Sequence, residues 1–202
     1  MNEKARQEAE AFKNTVAEKI ERLINEFASG KLSREQFQVI YDRYSNQLEI
    51  AEQAIKTGSM EEIYATRNST STVMMRDAYE GKATGLKVYH HKSGTTLETL
   101  GKFNAPMEKI QPRLDRMAQL LAESKFLEDE VERIGDNEWV LFVPGRFTII
   151  VTLFLNEPSE IQIQKIAQLN RDFEKANRNL LEQPQLDGKH LAYPFTVFVD
   201  RR

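Results

Sequence analysis

Two apolar segments in the middle of the chain constrain the fold more than any other feature. They span Glu138–Val143 and Phe147–Leu155, are rich in β-branched and aromatic residues, and are separated by a Pro144–Gly145 turn. Residues of this kind suit the pleated, buried surface of a sheet, and the tight turn predicts that the two strands are neighbours. Over Leu86–Leu181 the pattern as a whole predicts two strands, a helix, three strands and a second helix.

The segments around this central pair carry their own boundary signals. A Lys92–Gly94 turn predicts a hairpin of two strands, and Asn104 is placed to cap the helix that follows, with proline in its first turn. Asn156 is placed to cap the closing helix in the same way. Strands are predicted at Leu86–His91, Thr95–Leu100, Leu127–Ile134 and, after the closing helix, Leu191–Val199.

The first 57 residues have a different, helical periodicity. Apolar residues recur every three or four positions with charged residues between them, which is typical of amphipathic helices. Ser29–Gly30 ends the first helix, and Ser33 with Gln36 has the form of a capping box that opens the second. Because only a few residues connect them, the two helices are expected to form an antiparallel hairpin.

These patterns divide the chain into three parts. Residues 1–57 are predicted to form the helical hairpin, and residues 85–202 an α+β domain with an extra C-terminal strand. Residues 58–84 form a linker or a broken helix, because a capping box at Ser59–Glu62 opens a helical pattern that the tract Asn68–Thr72 interrupts with poor helix formers. The predicted fold class is therefore α+β, a helical hairpin followed by an antiparallel sheet flanked by helices.

Composition excludes several classes of function. The net charge of −3 gives no electrostatic basis for binding nucleic acid, and the absence of cysteine excludes disulfides and thiolate metal sites. The longest apolar run, Phe147–Leu155, is less than half of the ~20 residues that a membrane-spanning helix needs. The polar N-terminus does not resemble a signal peptide, so we expect a cytoplasmic protein that does not insert into a membrane.

Motifs for chemistry are missing, so no catalytic, cofactor or metal site is predicted. His90 and His91 are adjacent on a predicted strand, where their side chains should point to opposite faces and could not easily share one metal. His190 is expected in an exposed loop. The Gly81–Gly85 segment lacks the glycine spacing of a phosphate loop and precedes a strand instead of following one.

Acidic residues cluster at the first strand of the meander. Glu128, Glu130 and Glu132 would share one face there, and acid–base chemistry or a divalent cation is conceivable. We favour a second interpretation, in which charge protects an edge strand from aggregation. An enzyme would require a pocket in which His90 or His91 meets Glu128 or Glu130.

The order of elements resembles the roadblock family of dynein light chains and bacterial GTPase regulators, whose fold is profilin-like. The resemblance covers roughly residues 60 to 182. It rests on the following segments: Gly85–Tyr89, the Ser93–Gly94 turn, Leu97–Leu100, the helix from Pro106, the meander Leu127–Leu155 and the helix from Pro158.

The resemblance implies a non-enzymatic homodimer that scaffolds or regulates a small Ras-like GTPase and needs no cofactor. The family's two-fold interface is formed by the helix after the hairpin and by the next strand. Carried over to this chain, the interface residues are Met107, Ile110, Leu114, Met117, Leu127, Glu128 and Val131. The acidic strand opposes this transfer, because like charges would face each other across a symmetric edge.

A second resemblance remains open. From Pro106 onward, the pattern of helix, three antiparallel strands, helix and strand is similar to the secretion-chaperone fold, whose members bind extended partner segments as dimers. The predicted tail strand Leu191–Val199 favours this alternative, whereas the hairpin Leu86–Leu100 favours the roadblock-like one. The connectivity of the sheet would separate the two.

Overall fold

The chain divides into two compact units, with the division between Glu80 and Gly81. The computed structural model describes residues 3–67, 71–183, 186 and 190–193. Long helices form the first unit, and a five-stranded antiparallel sheet flanked by helices forms the second. The α+β class predicted from the sequence is confirmed.

Two long helices, α1 (Glu3–Ala28) and α2 (Arg34–Thr57), dominate the first unit. They run antiparallel, since Phe27 stacks on Phe37 beside the connecting turn while Lys13 pairs with Glu52 at 2.8 Å far from it. The predicted capping box opens α2: the Gln36 backbone N–H donates to Ser33 Oγ, and the Ser33 N–H donates to the Gln36 side chain. Each bond satisfies a backbone or side-chain group that would otherwise be unpaired.

The segment after the hairpin contains two short helices, α3 (Glu61–Arg67) and α4 (Thr72–Ala78). In α3, Ile63 is completely buried in the hairpin core. Polar contacts hold α4 instead, because none of its residues is buried and the Arg76 carbonyl accepts a bond from Gln36 Nε2 at 2.9 Å. One described helix ends at Arg67 and another begins at Thr72, and residues 68–70 of the predicted Ser/Thr tract lie outside the described part of the chain.

The described residues of the second unit form five strands and two helices. The strand order is β2-β1-β5-β4-β3, and every neighbouring pair is antiparallel, so β2 and β3 are the two edges. In chain order the elements are β1 (Lys82–His90), β2 (Thr95–Gly101), α5 (Met107–Ala122), β3 (Glu130–Arg133), β4 (Glu138–Pro144), β5 (Thr148–Leu155) and α6 (Glu160–Leu181).

One helix covers each face of the sheet. On one face α6 packs through Phe173 against Leu141 and Ile150, and on the other α5 packs through Ile110 against Phe142. The central strand β5 is consequently buried on both faces over Thr148–Phe154. Double burial explains why this strand has a nearly continuous apolar sequence where a half-exposed strand would alternate.

The ends of several elements differ from the predictions. Asn104 does not cap α5, whose N-cap is Pro106 without a side-chain bond. Asn156 does not cap α6 either, because Ser159 takes that role in a capping box with Gln162. Strand β3 has four residues instead of eight, because its pairing with β4 begins only at Glu130.

The predicted tail strand is not present where the chain is described. Leu191–Tyr193 form no strand, and residues 194–199 lie outside the described part. Side-chain contacts hold this segment: Asn177 exchanges two bonds of 2.7 Å with the Ala192 backbone, and Tyr193 stacks on Phe173. Among the described residues, no helix combines the length and apolar character needed to span a membrane.

Candidate functional site

Strand β3 leaves one row of backbone groups unpaired by the sheet. The Ile134 N–H donates to the Glu138 carbonyl at 2.9 Å, which directs the backbone of Ile134 towards β4. Because direction alternates along a strand, the backbone groups of Glu132 also face β4, and those of Val131 and Arg133 face outward. A strand edge of this kind is able to pair with another chain.

The two carboxylates of β3 share a cation on α5. Glu130 and Glu132 lie opposite Phe142 and Val140, which belong to the face covered by α5. Arg113 on α5 lies 2.9 Å from a Glu130 oxygen and 3.8 Å from a Glu132 oxygen. The acidic face of the edge strand is therefore partly neutralised within the protomer.

A cation lies on the other face of the same strand, and an acid lies just before the strand. The Arg133 guanidinium lies 5.9 Å from the Trp139 ring centre, and its Nε donates to the Gly135 carbonyl at 3.0 Å. Asp129 immediately precedes β3. Loss of hydration raises the pKa of the Asp129 carboxyl, while the nearby Arg171 guanidinium lowers it in part.

An open cleft of about 1260 Å³ lies at one end of the sheet. Its walls are the β1–β2 turn at His91–Lys92, the β4–β5 turn at Pro144–Phe147, the loop Ser124–Asp129 and part of α6. Phe126 stands in the loop wall and is 90% exposed, the largest exposed fraction among the large apolar residues described. A single exposed apolar side chain is common on protein surfaces, so Phe126 is of interest because it stands in the wall of this cleft.

The backbone conformation at the C-terminal end of α5 directs the loop Ser124–Asp129 away from the helix. Ser124 adopts a left-handed backbone conformation with φ of 59°, and its N–H donates to the Leu121 carbonyl at 2.9 Å. The next N–H, from Lys125, donates to the Leu120 carbonyl at 3.0 Å. These bonds satisfy the last carbonyl groups of the helix and turn the chain sharply before Phe126.

Cations gather on the hairpin side of the cleft. Lys92 Nζ and the Arg146 guanidinium lie 5.8 Å and 5.1 Å from the Phe147 ring centre, so two positive groups flank one aromatic ring. Within the described part of the chain, neither group forms an ion pair, and Arg171 of α6 forms none either. Lys92 and Arg146 are therefore available to an anionic partner, whereas the Arg171 guanidinium donates to Gln168 Oε1 at 2.7 Å and 3.1 Å and lies near Asp129.

Glu174 lines the cleft, but its carboxylate bonds to the protein's own backbone. Its carboxylate accepts bonds from the backbone N–H groups of Arg146, Phe147 and Thr148 at 2.8–3.0 Å. Beside it, Asn170 donates to the Val143 carbonyl at 3.1 Å. The carboxylate therefore stabilises the β4–β5 turn, and among the described residues it forms no ion pair with the cations of the cleft.

The histidines differ in their exposure to solvent and in their hydrogen-bond partners. His90 is 1% exposed, its Nδ1 lies 2.8 Å from Ser93 Oγ, and burial lowers its pKa. His91 is half-buried, and its Nε2 donates to the Arg146 carbonyl at 2.8 Å. His190 is exposed, as predicted from its loop position. Among the described residues, no three potential ligands cluster as a metal site would require.

An enzyme would need a pocket that joins His90 or His91 to Glu128 or Glu130, and only one residue of each pair lines the cleft. His91 and Glu128 both line it, but His90 and Glu130 do not. Because the His91 Nε2 donates to a backbone carbonyl, the lone pair is on Nδ1, which is buried and has no hydrogen-bond partner among the described residues. That the chain is not an enzyme remains a prediction.

The residues predicted for a dimer interface fall into two groups. Ile110, Leu114 and Met117 are buried against the chain's own sheet, so they form the core of the protomer and are not available to a partner. Four others remain at least partly accessible: Met107, Leu127, Glu128 and Val131. The interface itself stays a prediction, and it depends on the residues next to and within β3.

Sequence reasoning did not single out Phe126 or Arg113. Phe126 adjoins the predicted strand and belongs to no apolar periodicity, which is the signal that could have identified it as exposed. Arg113 lies one helical turn from Lys109 on α5, but its pairing with β3 depends on tertiary geometry. The cleft likewise depends on tertiary geometry, because four segments that are distant in sequence form its walls.

The chain was compared with protein-family models, with curated proteins and with solved structures. None of the three comparisons found a match.

Proposed function

We propose that this protein is a non-enzymatic interaction module, a roadblock-like homodimer that scaffolds or regulates a small Ras-like GTPase. The observation that carries the proposal is the connectivity of the sheet, in which the first hairpin joins the later meander through β1 and β5. The secretion-chaperone-like alternative begins its sheet only after α5, so an integral β1–β2 hairpin counts against it.

The chain's own edge strand offers a symmetric pairing. If two copies pair antiparallel through β3 with Val131 on the two-fold axis, the outward backbone groups of Val131 bond to their own copies. Asp129 then lies opposite Arg133 of the partner subunit, and the same pair repeats across the axis. Arg133 lies on the face of the sheet that α6 covers, and Asp129, just before the strand, lies near Arg171 of α6, so opposite charges would meet on the same side.

This register also reduces the repulsion expected of an acidic edge. It places Glu130 opposite Glu132 of the partner subunit, but the Arg113 of each protomer already lies beside these carboxylates. Moving the axis by one residue to either side would place a glutamate directly against its own copy. Val131 is therefore the position for the axis that places no glutamate against its own copy, in contrast to either neighbouring position.

A charge-exchange experiment tests the dimer. Asp129→Arg and Arg133→Asp should each weaken self-association at least about tenfold, and the double variant should recover most of it, because the attraction is restored with reversed polarity. Sedimentation equilibrium measures the association. Asp172→Arg on the exposed surface of α6 is the control for charge reversal alone. A monomeric wild-type protein at all concentrations would refute the dimer.

The partner class needs its own measurement. The purified protein should be mixed with a panel of small Ras-like GTPases in their GDP-bound and GTP-analogue-bound states. We expect co-elution with at least one member and a change in its rate of GTP hydrolysis. If no member co-elutes and no hydrolysis rate changes, the GTPase part of the proposal is wrong even if the dimer is present.

A further inference from the structure

We propose that the cleft at the end of the sheet binds an extended segment of a partner protein that carries a carboxylate near a large apolar side chain. This inference rests on the proposed role as an interaction module, but it does not depend on the dimer or on the GTPase.

Phe126 would contact the apolar side chain of the partner segment. Its ring is 90% exposed in the loop wall, beside the partly buried Leu121 and Leu127. Covering an exposed phenyl ring contributes favourably through removal of apolar surface from water, and exposed aromatic anchors often dominate binding. A partner side chain that reaches Phe126 would gain this contact without rearranging the core.

Cations on the opposite wall of the cleft would bind the carboxylate of the partner segment. Lys92 and Arg146 flank the Phe147 ring and form no ion pair within the described ranges. The Glu174 carboxylate lines the same cleft, but its oxygens accept from backbone amides of the turn, and within the described residues it forms no ion pair with either cation. A carboxylate from the partner would therefore complete this wall.

The other charges in the cleft limit which segment fits. Glu128 and Asp129 lie in the same loop as Phe126, so a uniformly acidic segment or a nucleic acid backbone would be repelled there. A segment with its carboxylate at the hairpin wall and its apolar side chain at the loop wall avoids that repulsion. The cleft is also open to solvent, which suits an extended chain better than a small molecule that a pocket would enclose.

Selection from a phage-displayed library of 12-residue peptides provides the test. We expect the enriched sequences to contain Asp or Glu near Leu, Phe or Trp, and synthetic fluorescent copies of them to bind the wild-type protein. Lys92→Glu and Phe126→Ser should each weaken their binding at least about tenfold in fluorescence anisotropy. Lys165→Glu, an exposed charge reversal on α6 outside the cleft, should bind as the wild type does.

Two outcomes would overturn the inference. One is a selection that enriches no shared acidic and apolar motif. The other is a set of binders whose affinity neither Lys92→Glu nor Phe126→Ser changes. Sedimentation equilibrium of the same variants separates this result from the dimer, because both substitutions leave Asp129, Val131 and Arg133 intact. Peptide binding by a monomer would support the cleft while refuting the β3 interface.

Discussion

Glu174 and Thr148 are joined by two hydrogen bonds to one carboxylate oxygen. Glu174 Oε1 accepts from the Thr148 backbone nitrogen at 2.8 Å and from the Thr148 hydroxyl at 2.9 Å. The Phe147 and Arg146 backbone nitrogens donate to the same carboxylate at 2.8 Å and 3.0 Å. Four donors thus converge on a single anion, which fastens the β4–β5 turn to α6.

Replacing this carboxylate by its neutral isostere should destabilise the second unit. Glu174→Gln removes the negative charge and presents an N–H₂ group to backbone donors, so we expect a loss of about 2–3 kcal/mol in the free energy of unfolding. Urea denaturation monitored by circular dichroism measures the change. Asp172→Asn, an equivalent substitution on the exposed side of the same helix, should change it by less than about 0.5 kcal/mol.

Adding a side chain at Gly145 should lower the free energy of unfolding, because Glu174 and Asn170 lie too close to this position to accommodate one. A Cβ atom at Gly145 would meet the Glu174 carboxylate and would lie 2.8 Å from Asn170 Nδ2. Gly145→Ala should therefore cost about 1–3 kcal/mol in urea denaturation. In a Glu174→Ala background the same substitution should cost clearly less, because the obstructing carboxylate is gone. Equal costs in the two backgrounds would contradict this explanation.

His90 should make stability depend on pH below neutrality. Burial lowers its pKa in the folded state below the 6.5 of an exposed histidine, so the unfolded chain binds the proton more readily. Its contribution is fully present above pH 6.5 and is lost as the pH falls from there through the folded-state pKa. Urea denaturation of the wild-type protein should therefore show stability falling more steeply from pH 7.5 to 5 than it does in His90→Gln.

The control for this prediction is Asn179→Gln, a neutral substitution at an exposed position. Its stability should follow the wild-type pH profile. An identical profile for His90→Gln and the wild type would show that His90 does not contribute to the pH dependence.

Asn177 should protect the backbone of Ala192 from exchange with solvent. The Asn177 side chain accepts from the Ala192 N–H and donates to its carbonyl, both at 2.7 Å, and also donates to the Phe173 carbonyl. Asn177→Ala should accelerate hydrogen exchange of the Ala192 amide about 10- to 100-fold, measured by NMR. Asn179→Ala, at an exposed position of the same helix, should leave that rate unchanged.

Periodicity and turn residues were enough to predict most elements of the fold. Strands β4 and β5 follow from their β-branched and aromatic runs, and the capping box at Ser33 and Gln36 marks the start of α2 within one residue. Local signals were less reliable where several potential caps adjoin. Both Asn156 and Ser159 could open α6, and only the bond from the Ser159 backbone to Gln162 identifies the residue that does.

The candidate sites were less predictable because they depend on tertiary packing. An apolar residue on a helix face looks the same whether it packs on the chain's own sheet or on a partner, and Ile110 was assigned to an interface on that basis although it is buried within the protomer. The salt bridge from Arg113 to Glu130 and the cleft around Phe126 join segments that no local pattern connects. The edge position of β3, by contrast, was expected from its charge.

The position of β5 between β1 and β4 has a consequence for folding. Strand β1 pairs with β5 across an intervening chain of more than fifty residues, so the sheet cannot close until synthesis has passed Leu155. Contacts so distant in sequence raise the entropic barrier to folding and slow it. A nascent chain that ends before β5 therefore carries a hairpin with an unmatched inner edge, and on the ribosome this edge would be the first surface to need protection from aggregation.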